Sequence, residues 1–339
     1  MKKALALSLP LALLLASCAA PAEVAAASAT APAETTATAA PTEAPAAETP
    51  SPTPEATPAM VRPAALSGEY AFGEPYTLTE DVYGNPLPTE PLASYMLVSG
   101  AMSWDEAATA QVTVEMLKEA NPYAVAEDGS LIPGSTLMVT TGTADYTIPD
   151  TKLRDVTVPH TEDYEGAGTY HVPAALDDDQ AVALAEGLDA LYHFDMSRGY
   201  SPAEQAGDDP NVYTSAEGAR FTAYTAYQTY INAVFAPRMA DHFLTTDKNE
   251  YGYYDGYAAG ENDALIYTPG DRGANIMFAG YTYGEPKTAG DGTTMFDLLS
   301  LIRDDNEDPA SPVTSLERQR VALVPTQDGW RVQQLALPN

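Results

Sequence analysis

From Ala19 to Ala65 the chain is built almost wholly of Ala, Pro, Thr and Glu, as in "APAETTATAAPTEAPAAETPSPTPEATPA". Such a segment has almost no large apolar side chain, so it cannot bury enough surface to offset the entropy lost on ordering. Residues 19–65 therefore read as a disordered tether. Proline and like-signed glutamates stiffen it, and at about 3.1 Å per residue in a polyproline-like state it reaches at most roughly 140 Å. Everything that folds must come from residues 66–339, a length that fits one to three domains. The charge is lopsided: 48 acidic residues against 16 basic ones, a formal net charge of −32. Nucleic-acid binding is excluded on that ground, because neutralising phosphates needs clustered Lys and Arg.

Ahead of the tether stands "MKKALALSLPLALLLASCAA": Lys2 and Lys3, an apolar run, then small residues around Cys18. These are the charged, apolar and small-residue regions of an export signal, and the apolar run is too short for a comfortable membrane span. Leu15-Ala16-Ser17-Cys18 resembles the lipobox of bacterial lipoproteins, in which the signal is cut before the cysteine and that cysteine carries the lipid. Cys18 is the sole cysteine in the chain, and lipidation gives a lone exported thiol a use without a disulfide partner. The resemblance implies a signal peptide over 1–18 and a protein held by lipid on the outer face of the cell membrane, in a bacterial envelope. The acidic body adds no attraction to an anionic membrane, so Cys18 is the sole expected membrane contact.

After an irregular lead-in at 66–92, the stretch "YMLVSGAMSWDEAATAQVTVEMLKEANPYAVAEDGSLIPGSTLMV" carries dense local signals. Tyr95–Val98 reads as a strand ending in the Ser99-Gly100 turn, and Ser103 can cap a helix that begins at Trp104. Thr113 caps a second helix whose apolar face holds Val114 and Leu117, and Pro122 stops it. Asp128-Gly129 turns the chain, and Leu131, Leu137 and Val139 mark a closing strand. This strand–helix–helix–strand order over 93–141 resembles a LysM module, the small βααβ domain that binds N-acetylglucosamine-containing glycans. The resemblance rests on Gly100, Trp104, Ala107, Val112, Val114, Leu117 and Asn121-Pro122, and above all on "SLIPGSTLMV". It implies a peptidoglycan-glycan groove between Gly100, Ala101, Met102 and Ser103 on one side and Tyr123, Leu131, Ile132 and Pro133 on the other. Where the family usually shows Gly-Asp-Thr at the first turn, this chain has Gly100-Ala101-Met102, which removes a polar contact worth about 1 kcal/mol.

Residues 142–176 are polar and turn-rich and read as a connecting region. From Asp177 to 339 the pattern is helices first, then strands. "DDDQAVALAEGLDALYHFDM" is an amphipathic helix with Val182, Ala185, Leu188, Leu191 and Tyr192 on its apolar face. "TAYTAYQTYINAVFAPRMADHFL" supplies a second helix and, after Pro237, a third. "DALIYTP", "ANIMFAGYTYGEP", "TMFDLLSLIR", "RQRVALVPT" and "GWRVQQLAL" then alternate with a period of two. The fold class is therefore α+β. The order is similar to the cone-shaped α+β domains of the nuclear-transport-factor and cystatin kind. More specifically it resembles the lipoprotein family named for the DL-endopeptidase inhibitor IseA, through "YINAVFAPRMADHFL", "DALIYTPGDRGANI" and "QDGWRVQQL". That resemblance implies a non-enzymatic domain, in some members an inhibitor of cell-wall cysteine peptidases. It places Asp271, Arg272, Gly273 and Asn275 at the partner contact.

No catalytic motif stands out, and no cofactor is expected. The four histidines, His160, His171, His193 and His242, lie at no metal-ligand spacing and in no nucleophile-elbow pattern. "DKNEYGYYDGYA" puts Asp247, Asn249, Gly252 and Asp255 at EF-hand positions, but Ala258 replaces the glutamate that should close the loop. No metal is therefore expected. Twenty-one tyrosines against seven phenylalanines suit half-exposed strands or a sugar- or partner-binding surface. A wall-active hydrolase with an unrecognised catalytic domain, and a purely structural envelope protein, remain as alternatives.

Overall fold

The computed structural model describes residues 62–97, 103–108, 113–132, 136–138, 146–159, 168–194, 203–215, 219–244, 247–249, 251–254, 256–269, 275–305, 307–308, 310–336 and 338. In chain order the strands begin with β1 (Ala71–Phe72), β2 (Tyr76–Thr77) and β3 (Ala93–Leu97). Two short helices follow, α1 (Trp104–Ala107) and α2 (Val114–Ala120), then β4 (Thr136–Met138), β5 (Lys152–Thr157) and β6 (Thr169–Pro173). The long helix α3 (Asp178–Phe194) precedes β7 (Ala203–Gln205), β8 (Tyr213–Ser215), α4 (Tyr224–Val234) and α5 (Pro237–Phe243). The chain then runs through β9 (Ala258–Ala259), β10 (Leu265–Tyr267), β11 (Phe278–Tyr283), β12 (Lys287–Thr288), β13 (Thr294–Arg303), β14 (Val313–Thr326) and β15 (Gly329–Gln334). The protein is α+β, as the switch from helical to two-residue period predicts.

The strands form three sheets. In the first, β5 is central, with β1 and β2 paired along one side and β6 along the other. The second has the order β7-β8-β10-β9. The third has seven strands in the order β11-β13-β14-β3-β4, with β12 also on β13 and β15 also on β14. Within it β3 lies parallel to β14, Ala93 opposite Ser315 and Leu97 opposite Gln319, and β4 pairs antiparallel with β3. The strand–helix–helix–strand segment thus shares a sheet with strands more than two hundred residues later, because β3 has two edges and β4 covers only one.

Helix α3 is the pivot of the main core. Asp178 and Asp179 sit in its first turn, where the helix dipole favours them. The sequence predicts an amphipathic helix, but its residues are buried on nearly every side, because it packs against β6 and β5 on one side and β15 and α4 on others. Val182, Ala185, Leu188 and Leu191 are buried as expected, while Tyr192 faces solvent at 48 % exposure. Gly187 is what lets β15 approach: a Cβ there would lie 2.8 Å from Val332 Cγ2 and 3.1 Å from Leu335 Cδ2.

Two smaller cores stand apart from this one. Trp104, Ala107, Leu117, Ala124, Leu131 and Leu137 pack together beneath α1 and α2. Leu92, Ala279, Leu301, Val313 and Leu316 pack on the other face of the large sheet, under Leu78, Leu87, Tyr146 and Ile148. That second cluster gives the lead-in a purpose, and the stretch expected to be a plain connection supplies β5 and β6. Each fully buried leucine in these cores contributes about 1.5–3 kcal/mol. Among the described residues no helix is long and apolar enough to cross a membrane.

Candidate functional site

Three places bear on function: the surface over α1 and α2, the turn before β11, and a buried cluster of charges around α3. In the first, Thr113 Oγ1 accepts from the Met116 amide at 3.3 Å and opens α2, and the Leu117 carbonyl accepts from Asn121 Nδ2 at 2.8 Å at its end. Pro122 then leads a single tight turn to Ala124. Trp104 is buried and donates its indole N–H to the Gly129 carbonyl at 3.0 Å, which ties α1 to the Asp128-Gly129 turn. Lys118 Nζ sits 5.4 Å from the centroid of the same ring.

Of the residues assigned to a glycan groove, Tyr123 is 60 % exposed and Ile132 37 %. The Ile132 amide donates to the Ala124 carbonyl at 3.0 Å, so the two side chains belong to adjoining backbone. Tyr123 also donates its hydroxyl to Asn121 Oδ1 at 2.8 Å, which restricts the ring. Leu131 is only 5 % exposed and lies in the small core with Trp104, so it supports the surface from below and has little area for a sugar. Ser103 is exposed and its carbonyl accepts from the Ala107 amide at 3.1 Å, opening α1. Gly100, Ala101, Met102 and Pro133 lie outside the described residues, as does Cys18.

In the turn before β11, Asn275 Oδ1 accepts from the Met277 amide at 3.0 Å and the Asn275 carbonyl from the Phe278 amide at 3.0 Å. Asn275 is thus a turn-former, and it puts Ile276 into solvent at 61 % exposure. Asp271, Arg272 and Gly273 fall outside the described residues. In the loop with EF-hand-like spacing, Asn249 Oδ1 accepts from the amides of Tyr251 at 3.0 Å and Tyr253 at 3.1 Å, and Gly252 takes φ +83°. The oxygen a calcium ion would need is engaged in a backbone turn that displays Tyr251 and Tyr253. Among the described residues no three His, Cys, Asp or Glu side chains are grouped so as to hold a metal.

The buried charges around α3 were not singled out by sequence reasoning. Glu186 is 1 % exposed and Asp189 is fully buried, one helical turn apart. Arg220 Nη1 donates to Asp189 Oδ2 at 2.7 Å and Nη2 to Glu186 Oε2 at 3.3 Å. Tyr70 and Tyr230 donate to the two oxygens of Glu186 at 2.7 and 2.8 Å, Tyr170 donates to Asp189 Oδ1 at 2.8 Å, and His193 Nδ1 lies 3.2 Å from that same oxygen. Burial, reinforced by the neighbouring carboxylate, pushes the Tyr70 and Tyr170 phenols well above their ordinary value. Burial works against the Arg220 cation, but its phenol and carboxylate neighbours outweigh it and hold the proton. With both carboxylates sealed from water and matched to donors, the cluster fastens the lead-in, β6, α4 and the loop before α4 onto α3. The signal was present in "LAEGLDALYHF", where two acids three apart interrupt an apolar run.

A second group lies on the large sheet: Asp297 accepts from Arg318 Nη2 at 2.7 Å and Arg320 Nε at 2.8 Å. Burial raises the Asp297 carboxyl, yet the two guanidinium groups prevail and hold it below the usual carboxylate value. His171 is stacked on Tyr281 at 3.8 Å with its Nε2 2.8 Å from the Tyr281 carbonyl oxygen. No protein-family model matches the chain, and no curated protein matches it either.

Proposed function

We propose that the protein is a lipoprotein of the bacterial cell envelope, anchored through Cys18 and acting by binding rather than by catalysis. In this reading residues 93–141 are a LysM-like module for the glycan of peptidoglycan. The C-terminal region is an IseA-like, cone-shaped domain that restrains a cell-wall DL-endopeptidase through the turn at 271–275. The observation that carries the proposal is the exposed pair Tyr123 and Ile132 standing on a dedicated small core, with Trp104 and Leu131 beneath. An aromatic ring held by its own hydroxyl on solid backing presents a flat face of the kind that sugars stack against.

The test is a titration of the full chain in detergent with a chitooligosaccharide. Binding is expected near millimolar, about 4 kcal/mol, for a shallow surface lacking one polar contact. Tyr123→Ala is expected to abolish it and Ala101→Asp to tighten it. Absence of any response in the parent and in Ala101→Asp would refute the glycan reading. The inhibitory role is checked separately by the residual activity of added wall peptidases on wall fragments. Full activity at every concentration of folded chain refutes it. The anchor is checked by Cys18→Ser, which is expected to appear uncleaved or in the medium, and processed protein that stays in the membrane fraction would refute the anchor.

A further inference from the structure

Arg303 closes β13 and is 2 % exposed, yet it has no carboxylate partner among the described residues. Its Nη1 donates to the Asp308 carbonyl at 3.0 Å, its Cζ lies 3.8 Å from the centroid of the Tyr83 ring, and its buried Nε meets no acceptor. Arg154 and Arg331 also bury an Nε without an acceptor, but the other arginines with little exposure each have a carboxylate: Arg154 has Asp178, Arg220 has Glu186 and Asp189, Arg318 and Arg320 share Asp297, and Arg331 has Asp328. Acids are not lacking near Arg303. Asp304 accepts from Thr314, Asp305 from the Glu307 amide, Asp308 from the Ala310 amide, and Asp81 from the amides of Tyr83 and Asn85. Asp81, Asp305 and Asp308 cap their own turns, and Asp304 is taken by the Thr314 hydroxyl. A buried guanidinium left with an unmatched N–H is costly, and such an exception in a folded chain calls for an explanation.

We propose that Arg303 is an anion site, and that its ligand is the carboxylate of a peptide. Nη1 is committed to Asp308, so the free donors are Nε–H and Nη2–H, the parallel pair on one edge of the guanidinium that matches the two oxygens of a carboxylate. Over that group lies one side chain, Tyr83, 47 % exposed in a turn that Asp81 and Gly84 at φ +82° hold in place. The turn itself is seated on β11 by the Val82 amide, which donates to the Ala279 carbonyl at 3.1 Å. The surroundings fit a peptide better than a small inorganic anion. Val82 is 65 % exposed and Ile276 61 %, an apolar rim for the residues next to the carboxylate. The Tyr83 ring covers one face of the guanidinium and leaves its forked edge to the ligand. This site is separate from the surface of Tyr123 and Ile132 and does not rest on the glycan reading.

The experiment uses the full chain and the probe acetyl-Ala-Val-Ala with a free C-terminal carboxylate, against its C-terminal amide and against inorganic phosphate. Expected is saturable binding of the acid at up to about 10 mM, at least tenfold weaker binding of the amide, and no competition by phosphate. Arg303→Met keeps the stem packed while removing the charge, and should bring the acid down to the level of the amide. The same variant should unfold at a temperature equal to or above that of the parent without peptide, and lose the rise in that temperature that the acid produces. Equal affinity for acid and amide, no binding of the acid, competition by phosphate, or an Arg303→Met variant that binds like the parent would each overturn the proposal. If Arg303→Met fails to fold, Arg303→Lys carries the test, since a point charge without the forked edge should lose the preference for acid over amide.

Discussion

Arg220, with its side chain 11 % exposed, meets two carboxylates and stacks 4.5 Å from the Tyr230 ring, whereas Arg303, 2 % exposed, meets one carbonyl and the Tyr83 ring. Both cations lie in a strongly acidic chain, so the contrast is one of placement and not of supply. Around α3 the two buried acids, Glu186 and Asp189, both meet the cation, and the network joins the lead-in, β6, α4 and the loop before α4 to the helix. Around the end of β13 Asp81, Asp305 and Asp308 are turned to nearby backbone and Asp304 to the Thr314 hydroxyl. A fully matched buried charge is a fastening, and an unmatched one is strain that a ligand can relieve.

The largest expected effect tests the matched side. Arg220→Met leaves Glu186 and Asp189 buried without their cation and should cost about 3–5 kcal/mol in urea unfolding. A loss under about 1 kcal/mol would mean that the phenols of Tyr70, Tyr170 and Tyr230 suffice, and the comparison would fail. Next comes a test of whether the packing around α3 matters independently of its charges. Gly187→Ala gains helix propensity but drives a Cβ against Val332, and a net cost of about 1–3 kcal/mol is expected by the same measurement.

A smaller effect distinguishes a third kind of buried polar group, one kept neutral. Burial lowers the His171 pKa, and the Tyr281 carbonyl and Asp155 only partly oppose it. The unfolded chain then takes up a proton near pH 6.5 that the folded chain resists. The contribution of His171 is therefore complete above about pH 6.5 and declines as the pH falls below it. His171→Gln should flatten that part of the stability profile, and an unchanged slope from pH 7 to pH 5 would show that His171 is not its source. Smallest in size but decisive in sign is Arg303→Met, whose stability should equal or exceed that of the parent. A loss comparable to that of Arg220→Met would erase the difference between the two arginines.

Much of the local structure was legible. Thr113 as a cap, Pro237 at the start of α5, the Asp128-Gly129 turn and the full run Thr294–Arg303 as a strand all follow from single-residue chemistry and simple periods. The strands β5 and β6 were not legible, for a definite reason. In "KLRDVT" the residues Arg154 and Asp155 break the alternation, and their acceptable burial depends on Asp178, the Leu176 carbonyl and Tyr76, residues supplied by other elements. Helix α3 was placed correctly but read as one-sided, because Glu186 and Asp189 look solvent-facing until Arg220, 31 positions beyond Asp189, is brought beside them. At the candidate glycan surface, Tyr123 and Ile132 are exposed as a binding residue must be, while Leu131 went to the core. Adjacent positions in a turn point to opposite sides, and only packing decides which side is water.

What the sequence determined alone is whatever depends on neighbours within a few residues: caps and turns, and the change of period that makes the protein α+β. What the tertiary structure decided is which polar groups are enclosed together. Enclosure depends on contacts between β3 and β14, or Arg303 and Tyr83, far apart along the chain, and the energy of a charge is set by the groups that surround it in space.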